Sequence, residues 1–318
     1  MNRLLTAAAV SLGVSLGAPA SAQDQSVGIA TSNPGSLFHN IATSVANAAN
    51  AGGLNTTIQP ATSPNQFIPF VDQGGIEFGV SNLQEVSYAI TGDAWWNGLE
   101  NPNIRVVAHL QPLVAAMFVR ADSDIASIAD LAGQPMTDGY TAQNTILPQL
   151  SAFYSTAGLT RDDVEKVSVA SVVAGADAFM AGDTVGFYFA HGAGKVREAD
   201  AAVGGLRALG VDDPSDAVLA AAREHWPTAF FMTLSDGAMP GVLAETTYIA
   251  FPQVIFTHAG VPDEIVYEMA KAMYEQASVM GETFPPMRAF RPENMRGDPG
   301  VAEFHPGAIK FFEEVGLN

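Results

Sequence analysis

The sequence contains no cysteine. That excludes a disulfide framework and a lipid-modified N-terminal cysteine, so the chain must be held together by its hydrophobic core. Basic residues are scarce: 14 Lys and Arg stand against 33 Asp and Glu in 318 residues, a formal charge of −19. Nucleic acids and anionic membranes both need a basic footprint, so neither is expected as a partner. The acidic excess reads as a solubility feature and says little about a ligand held in a shielded cleft. No segment approaches the roughly 18 uninterrupted apolar residues of a membrane span, so no stable membrane insertion is expected.

Signatures of catalysis are missing as well. After residue 22 there is no Gly-x-Ser-x-Gly elbow and no His-Glu-x-x-His. Gly192-Ala193-Gly194-Lys195-Val196 ends like a phosphate-binding loop, but Val196 replaces the required Ser or Thr and Phe189 stands where the first glycine belongs. The histidines at 39, 109, 191, 225, 258 and 305 are scattered, and none pairs with a second His or a carboxylate at ligand spacing. The expectation is a protein that is not an enzyme and carries neither metal nor cofactor.

What is present begins with Met1-Asn2-Arg3, an apolar run from Leu4 to Leu16 and the small-x-small triplet Ala20-Ser21-Ala22. Together they read as a signal peptide over residues 1–22. Its removal leaves 13 basic against 33 acidic residues, a formal charge of −20. The mature chain then opens with the unit around which the rest is organised. Val27–Thr31 reads as a strand, Asn33-Pro34-Gly35 as a turn, and Ser36 as the cap of a helix with Leu37, Phe38, Ile41, Val45 and Ala48 on one face. A helix N-terminus placed after a strand offers unpaired N–H groups and the positive end of the peptide dipole, which suits a small anion.

Strands at Leu54–Gln59 and Ile76–Val80 flank a short helix, Pro64–Val71, interrupted by Pro69; a further helix runs to Thr91. Ile104–His109 and Leu113–Arg120 are adjacent strands meeting at Gln111-Pro112, a candidate crossing between domains. A second α/β cycle follows: a helix at Ser127–Ala132, a strand at Pro135–Asp138, a helix at Thr145–Thr156, and strands at Val164–Ala170 and Thr184–Ala190 about the helix Ala174–Ala181. Glu245–Thr257, interrupted by Pro252, reads as one long strand making a second crossing, and helices at Asp263–Met280 and Pro306–Val315 pad the first domain. The reading is α/β in two lobes, with 23–112 and 246–318 forming lobe I and 113–245 forming lobe II.

Four strands end in polar loops: Ser32 to Ser36, Ser81 to Gln84, Gly139 to Thr145, and His191 onward. If the strands are parallel, all four loops lie at carboxyl ends, two from each lobe, where open α/β sheets bind ligands. The candidate ligand contacts are Ser32, Asn33, Gly35, Ser36, Phe38, Ser81, Asn82, Gln84, Tyr140, Thr141, Gln143, Asn144 and His191.

The opening VGIATSNPGSLFHNIA, the segment VDQGGIEFGVSNLQEVSYAITG, FVRADSDIASIADLAGQPM, VPDEIVYEMAKAMYE and FHPGAIKFFEEVG together resemble the TAXI family of solute receptors for tripartite ATP-independent periplasmic (TRAP) transporters. The resemblance covers nearly the whole mature chain. It implies a type II periplasmic binding protein fold with an interdomain cleft, a periplasmic location, and capture of a small organic anion, a carboxylate or amino-acid-like solute, for a TRAP-type membrane permease. A membrane sensor in place of the permease is the alternative. The chain departs from the family pattern in two loops. Its first turn has only Gly35 and places Phe38 where a tyrosine is usual, and Gly139-Tyr140-Thr141-Ala142-Gln143-Asn144-Thr145 replaces a loop usually rich in glycine and proline. Side chains that fill space and offer amides there imply a more polar or differently sized solute than the family's glutamate.

Overall fold

The computed structural model describes residues 26–317, so the signal-peptide segment lies outside the described residues. The first lobe is built from β1 (Val27–Thr31), α1 (Leu37–Ala51), β2 (Thr56–Pro60), α2 (Pro64–Asp72), β3 (Phe78–Asn82), α3 (Leu83–Thr91) and β4 (Ile104–His109). β1 is buried along its whole length, as a strand covered on both faces must be, and it lies parallel to both β2 and β3. Ser36 caps α1 by accepting the His39 N–H, at 3.2 Å. The stripe from Leu37 through Ile41, Val45 and Ala48 turns inward. α2 runs through Pro69 without a break.

The second lobe contains β5 (Leu113–Arg120), β6 (Pro135–Asp138), α4 (Ile146–Ser155), β7 (Glu165–Ser168), α5 (Val172–Ala181), β8 (Gly186–Ala190), α6 (Gly194–Val203), β9 (Leu206–Leu209), α7 (Asp216–His225), β10 (Phe230–Leu234) and β11 (Thr246–Phe251). Its sheet order is β10-β11-β5-β8-β6-β7, with β9 paired to β5. The helix expected at Ser127–Ala132 is only a single 3₁₀ turn at Ala129–Leu131. The Asp130 carboxylate draws in the N–H groups of Ala126 and Ser127 at 3.0 and 2.8 Å, and Gly133, at φ +72°, ends the turn.

The expected long strand Glu245–Thr257 is two strands in different sheets. β11 pairs antiparallel with β10 and β5, whereas β12 (Gln253–His258) pairs antiparallel with β3 and β4 to complete the first sheet, β2-β1-β3-β12-β4. Residues 246–251 therefore belong with the second sheet, and the return crossing falls at Pro252. Proline has no N–H to carry a ladder onward, and the Pro252 carbonyl instead accepts the Leu83 N–H at 2.9 Å. The outward crossing is Leu110-Gln111-Pro112, between β4 and β5. The two crossings are joined: Gln253 Nε2 donates to the Gln111 carbonyl at 2.8 Å and the Leu110 N–H donates to the Gln253 carbonyl at 2.9 Å.

The chain ends with α8 (Asp263–Glu275), α9 (Ala277–Thr283) and α10 (Pro306–Val315), α8 and α9 packing on α1 and α10 on α8. The single helix expected over Asp263–Met280 is broken at Gln276, whose backbone leaves helical geometry at φ −106°, ψ +26°. The His305-Pro306-Gly307-Ala308 segment has a clear structural role. His305 Nδ1 accepts the Gly307 N–H at 3.1 Å, Pro306 occupies the first helical turn, and Gly307 meets the start of α8 so closely that a β-carbon there would lie 2.2 Å from the Asp263 carbonyl oxygen. Gly307→Ala must force the two backbones apart. It is expected to cost about 1–3 kcal/mol, read as a lower denaturant midpoint at unchanged slope; an unchanged midpoint would contradict this packing.

Candidate functional site

β1 and β3 are parallel in the first lobe, and β6 and β8 are parallel in the second, so the loops that follow them lie at carboxyl ends. The loops after β1, β3 and β6 and the end of β8 converge from the two lobes on one cavity of about 40 Å³, counted as space open to the centres of water-sized spheres. Ser32, Ser36, Leu37 and Phe38 come from the β1–α1 turn, and Asn82 and Glu85 from the start of α3. The second lobe contributes Gln143, Ile146 and Gln149 around the start of α4, Val172 at the start of α5, and Tyr188, Phe189 and Ala190 at the end of β8; Leu113 lies where β5 begins. The N-termini of four helices, α1, α3, α4 and α5, thus face one small space. On α1 the N–H groups of Leu37 and Phe38 have no hydrogen-bond partner among the described residues.

Of the residues proposed from sequence, Ser32, Ser36, Phe38, Asn82 and Gln143 line this cavity. The Ser32 hydroxyl and Asn82 Oδ1 are buried without a partner. Gln143 Oε1 accepts the Val172 N–H at 3.1 Å, closing the first turn of α5 with one end of its amide. The other candidates sit around the cavity rather than on its wall. Asn33 shapes the turn by accepting the Ser36 N–H at 3.0 Å, and Gly35, at φ +87°, supplies the bend that proline and a capping serine need between them. The Ser81 hydroxyl donates to Glu85, and Gln84 is buried beside it. Thr141 is exposed. Tyr140 is fully buried in the second lobe, its hydroxyl 2.8 Å from Thr137 Oγ1, and its backbone is held at φ +36° between Asp138 and Thr141. Arg161 pairs with that Asp138 carboxylate, which anchors the loop from below.

His191 faces a second cavity, of about 80 Å³, with Met232, Met239 and Pro286. Its ring packs edge-on against Phe118 and Tyr248, at 5.0 and 4.6 Å between centroids, and neither nitrogen has a partner. Burial pushes its pKa down to about 3, so the imidazole is neutral at any physiological pH and offers no positive charge. Lys195 is tied to Asp177 at 2.6 Å and to Glu198 at 2.7 Å.

Three polar wall residues escaped the sequence reading. Glu85 is fully buried at the third position of α3, where its Oε2 accepts the Ser81 hydroxyl and, at 3.3 Å, the Asn82 N–H. Burial raises its pKa; the polar groups of Ser81, Thr145 and Asn82 around it offset part of that rise. The Tyr188 hydroxyl donates to Gln149 Oε1 at 2.6 Å and leaves Gln149 Nε2 buried and unpaired. The signal for Glu85 lay in the Asn-x-x-Glu spacing from Asn82, which marks a helix start. Gln149 and Tyr188 lie within regular elements, and only the three-dimensional arrangement brings them together.

The lobes touch across the mouth of the cleft. Asn65 Nδ2 donates to Asn144 Oδ1 at 2.8 Å, and the Lys195 N–H donates to the Gly35 carbonyl at 3.2 Å. On the crossing side, Trp95 does not line the cavity; it stacks on Trp226 at 6.4 Å, and Trp226 also meets Phe251 beside Pro252.

This architecture matches solved structures at low sequence identity. MatC from Rhodopseudomonas palustris with bound malate aligns over 92% of this chain and 96% of its own, at 14% identity and a TM-score of 0.57. A structure described as a periplasmic transporter aligns over 92% of both chains, at 12% identity and a TM-score of 0.56. The fold is therefore that of the two-lobed type II periplasmic solute-binding proteins. Among the described residues no helix is long and apolar enough to cross a membrane. The profile of the NMT1-like family matches residues 29–316, and the chain belongs to that family.

Proposed function

We propose that this protein is a periplasmic solute receptor of the TAXI type. It captures a small organic acid, a carboxylate or amino-acid-like solute, in the interlobe cavity and delivers it to a TRAP-type membrane permease. The observation that carries the reading is the cavity itself: helix N-termini and unpartnered polar groups from both lobes face one space between them, which is what a small polar solute needs. Export through a signal peptide cleaved near Ala22, and lobes I and II meeting at residues 110–112 and 252, complete the proposal. Binding without turnover fits the wall, where no nucleophile is paired with a base.

A receptor must report its loaded state, and in this fold closure does so. Two lobes joined by two crossings can rotate, and a solute touching both favours the closed arrangement by its differential affinity. The absence of native cysteine makes the measurement clean. Spin labels at Asn47→Cys on α1 and Asp183→Cys beyond α5 are expected to give a longer or broader distance distribution without solute and one shorter distance with it, alongside a smaller radius of gyration. If both stay unchanged on saturation, the hinge mechanism fails.

The charge on the bound acid should be met by N–H groups and amides, with no contribution from lysine. Lys195→Ala is therefore expected to leave solute affinity within about twofold by calorimetry, because its ammonium is already neutralised by Asp177 and Glu198. A tenfold loss would show that Lys195 reaches the solute.

A further inference from the structure

Glu85 is the only charged side chain on the described cavity wall. Its capping task uses one oxygen: both the Ser81 hydroxyl and the Asn82 N–H bond to Oε2, and Oε1 has no hydrogen bond among the described residues. Glutamine performs that capping task as well as glutamate. An amide would also avoid the cost of burying a carboxylate with no cation beside it. The carboxylate is thus more than the helix end requires. Two further buried acceptors on the same lobe, Asn82 Oδ1 and the Ser32 hydroxyl, also lack partners. Three acceptors on one wall match the three N–H bonds of a primary ammonium.

The cavity also offers donors. The Leu37 and Phe38 N–H groups at the start of α1 and Gln149 Nε2 from the second lobe are donors without acceptors. They suit a carboxylate. One small space therefore presents both an acid with further acceptors and N–H donors.

We propose that Glu85 receives a protonated amine of the captured solute, so that the site selects a zwitterionic small acid over the same acid lacking its amine. The proposal rests on the reading of this cleft as a solute site and adds the group that discriminates between ligands. It also fixes the sign of the proton linkage. In the empty site burial holds the Glu85 proton to a higher pH than usual, and an arriving ammonium favours the ionised form. Amine binding then releases a proton in the range above pH 4.5, and affinity rises with pH there. A plain carboxylate accepting a hydrogen bond from neutral Glu85 would give the reverse. The groups facing Glu85 are Ser81 and Asn82 at its own helix start, Thr145 at the start of α4 and Tyr188 on β8. Of these only Tyr188 titrates, and burial raises its pKa well above the ordinary tyrosine value.

The test uses matched probes: L-alanine with propionate, L-glutamate with glutarate, and L-leucine with 4-methylpentanoate. Each is titrated calorimetrically into the full chain at pH 5 and 7, in buffers of different ionisation heat. Within the pair that binds, the amine-bearing member should bind at least tenfold tighter and release protons at pH 5. Glu85→Gln, which keeps the cap, should lower its affinity at least tenfold and bring the two members together. Proton release by the wild type stands as an independent reading if the variant fails to fold. Equal or tighter binding of the deaminated member, proton uptake, or an unchanged ratio in Glu85→Gln overturns the role of Glu85 and leaves solute capture intact. If no member of any pair binds, both the Glu85 role and the small-acid reading fall.

Discussion

The structure depends on the paired crossings at Gln111 and Gln253. Gln253 is fully buried, and its amide and carbonyl hold the Gln111 carbonyl and the Leu110 N–H, so the two connections between the sheets among the described residues run side by side and bonded. Each crossing also carries a proline, at 112 and 252, which stops either sheet from extending its ladder through the junction. The lobes can therefore rotate about this pair while remaining in register, and every distance across the cleft is set by that one joint. The stacked Trp95 and Trp226 lie beside it, where rotation moves atoms least.

The electrostatics of the cavity run against the acidity of the whole molecule. A helix N-terminus is equivalent to roughly half a positive charge, and the starts of α1, α3, α4 and α5 face the same space. Glu85 cancels the start of α3 by capping it, and Gln143 closes the start of α5. The start of α1 remains, because the Ile146 and Leu147 N–H groups of α4 already donate to the Gln143 and Asn144 carbonyls at 3.1 Å. With no Lys, Arg or His on the described wall, specificity comes from groups whose direction is fixed by the backbone. Such groups require no reorganisation when a solute arrives, whereas a lysine loses side-chain freedom on binding.

Much of this was legible in the sequence, because the βα units announce themselves locally. Ser36 caps the helix it was expected to cap, and the polar loops after β1, β3, β6 and β8 do lie at the carboxyl ends of parallel strands. The features that were not legible depend on partners remote in sequence. Tyr140 looks like a cleft residue in a polar loop, but the positive φ of Gly139 and its own φ of +36° turn its ring inward to Thr137. Glu85 looks like an ordinary helix residue until Thr145 and Tyr188 are brought against it. The long strand Glu245–Thr257 looked continuous because hydrophobicity runs on through Pro252, while pairing changes there from one sheet to the other.

The unpartnered groups in the cavity supply the reason that loading and closure are coupled. With the lobes together, the Ser32 hydroxyl, Asn82 Oδ1 and Gln149 Nε2 are buried and unbonded. Each such group costs about 1–3 kcal/mol relative to a hydrated one. About 40 Å³ open to water centres has room for a few waters, so in the empty closed state these groups are paired only by confined water. Against that penalty the described rim bonds, Asn65 to Asn144 and Lys195 to Gly35, are worth about 0.5–1.5 kcal/mol each. Opening exposes both walls to bulk solvent, where the same groups are hydrated without confining water. A solute that pairs these groups removes the penalty in the closed state alone, so the same atoms that recognise the solute also set the position of the hinge.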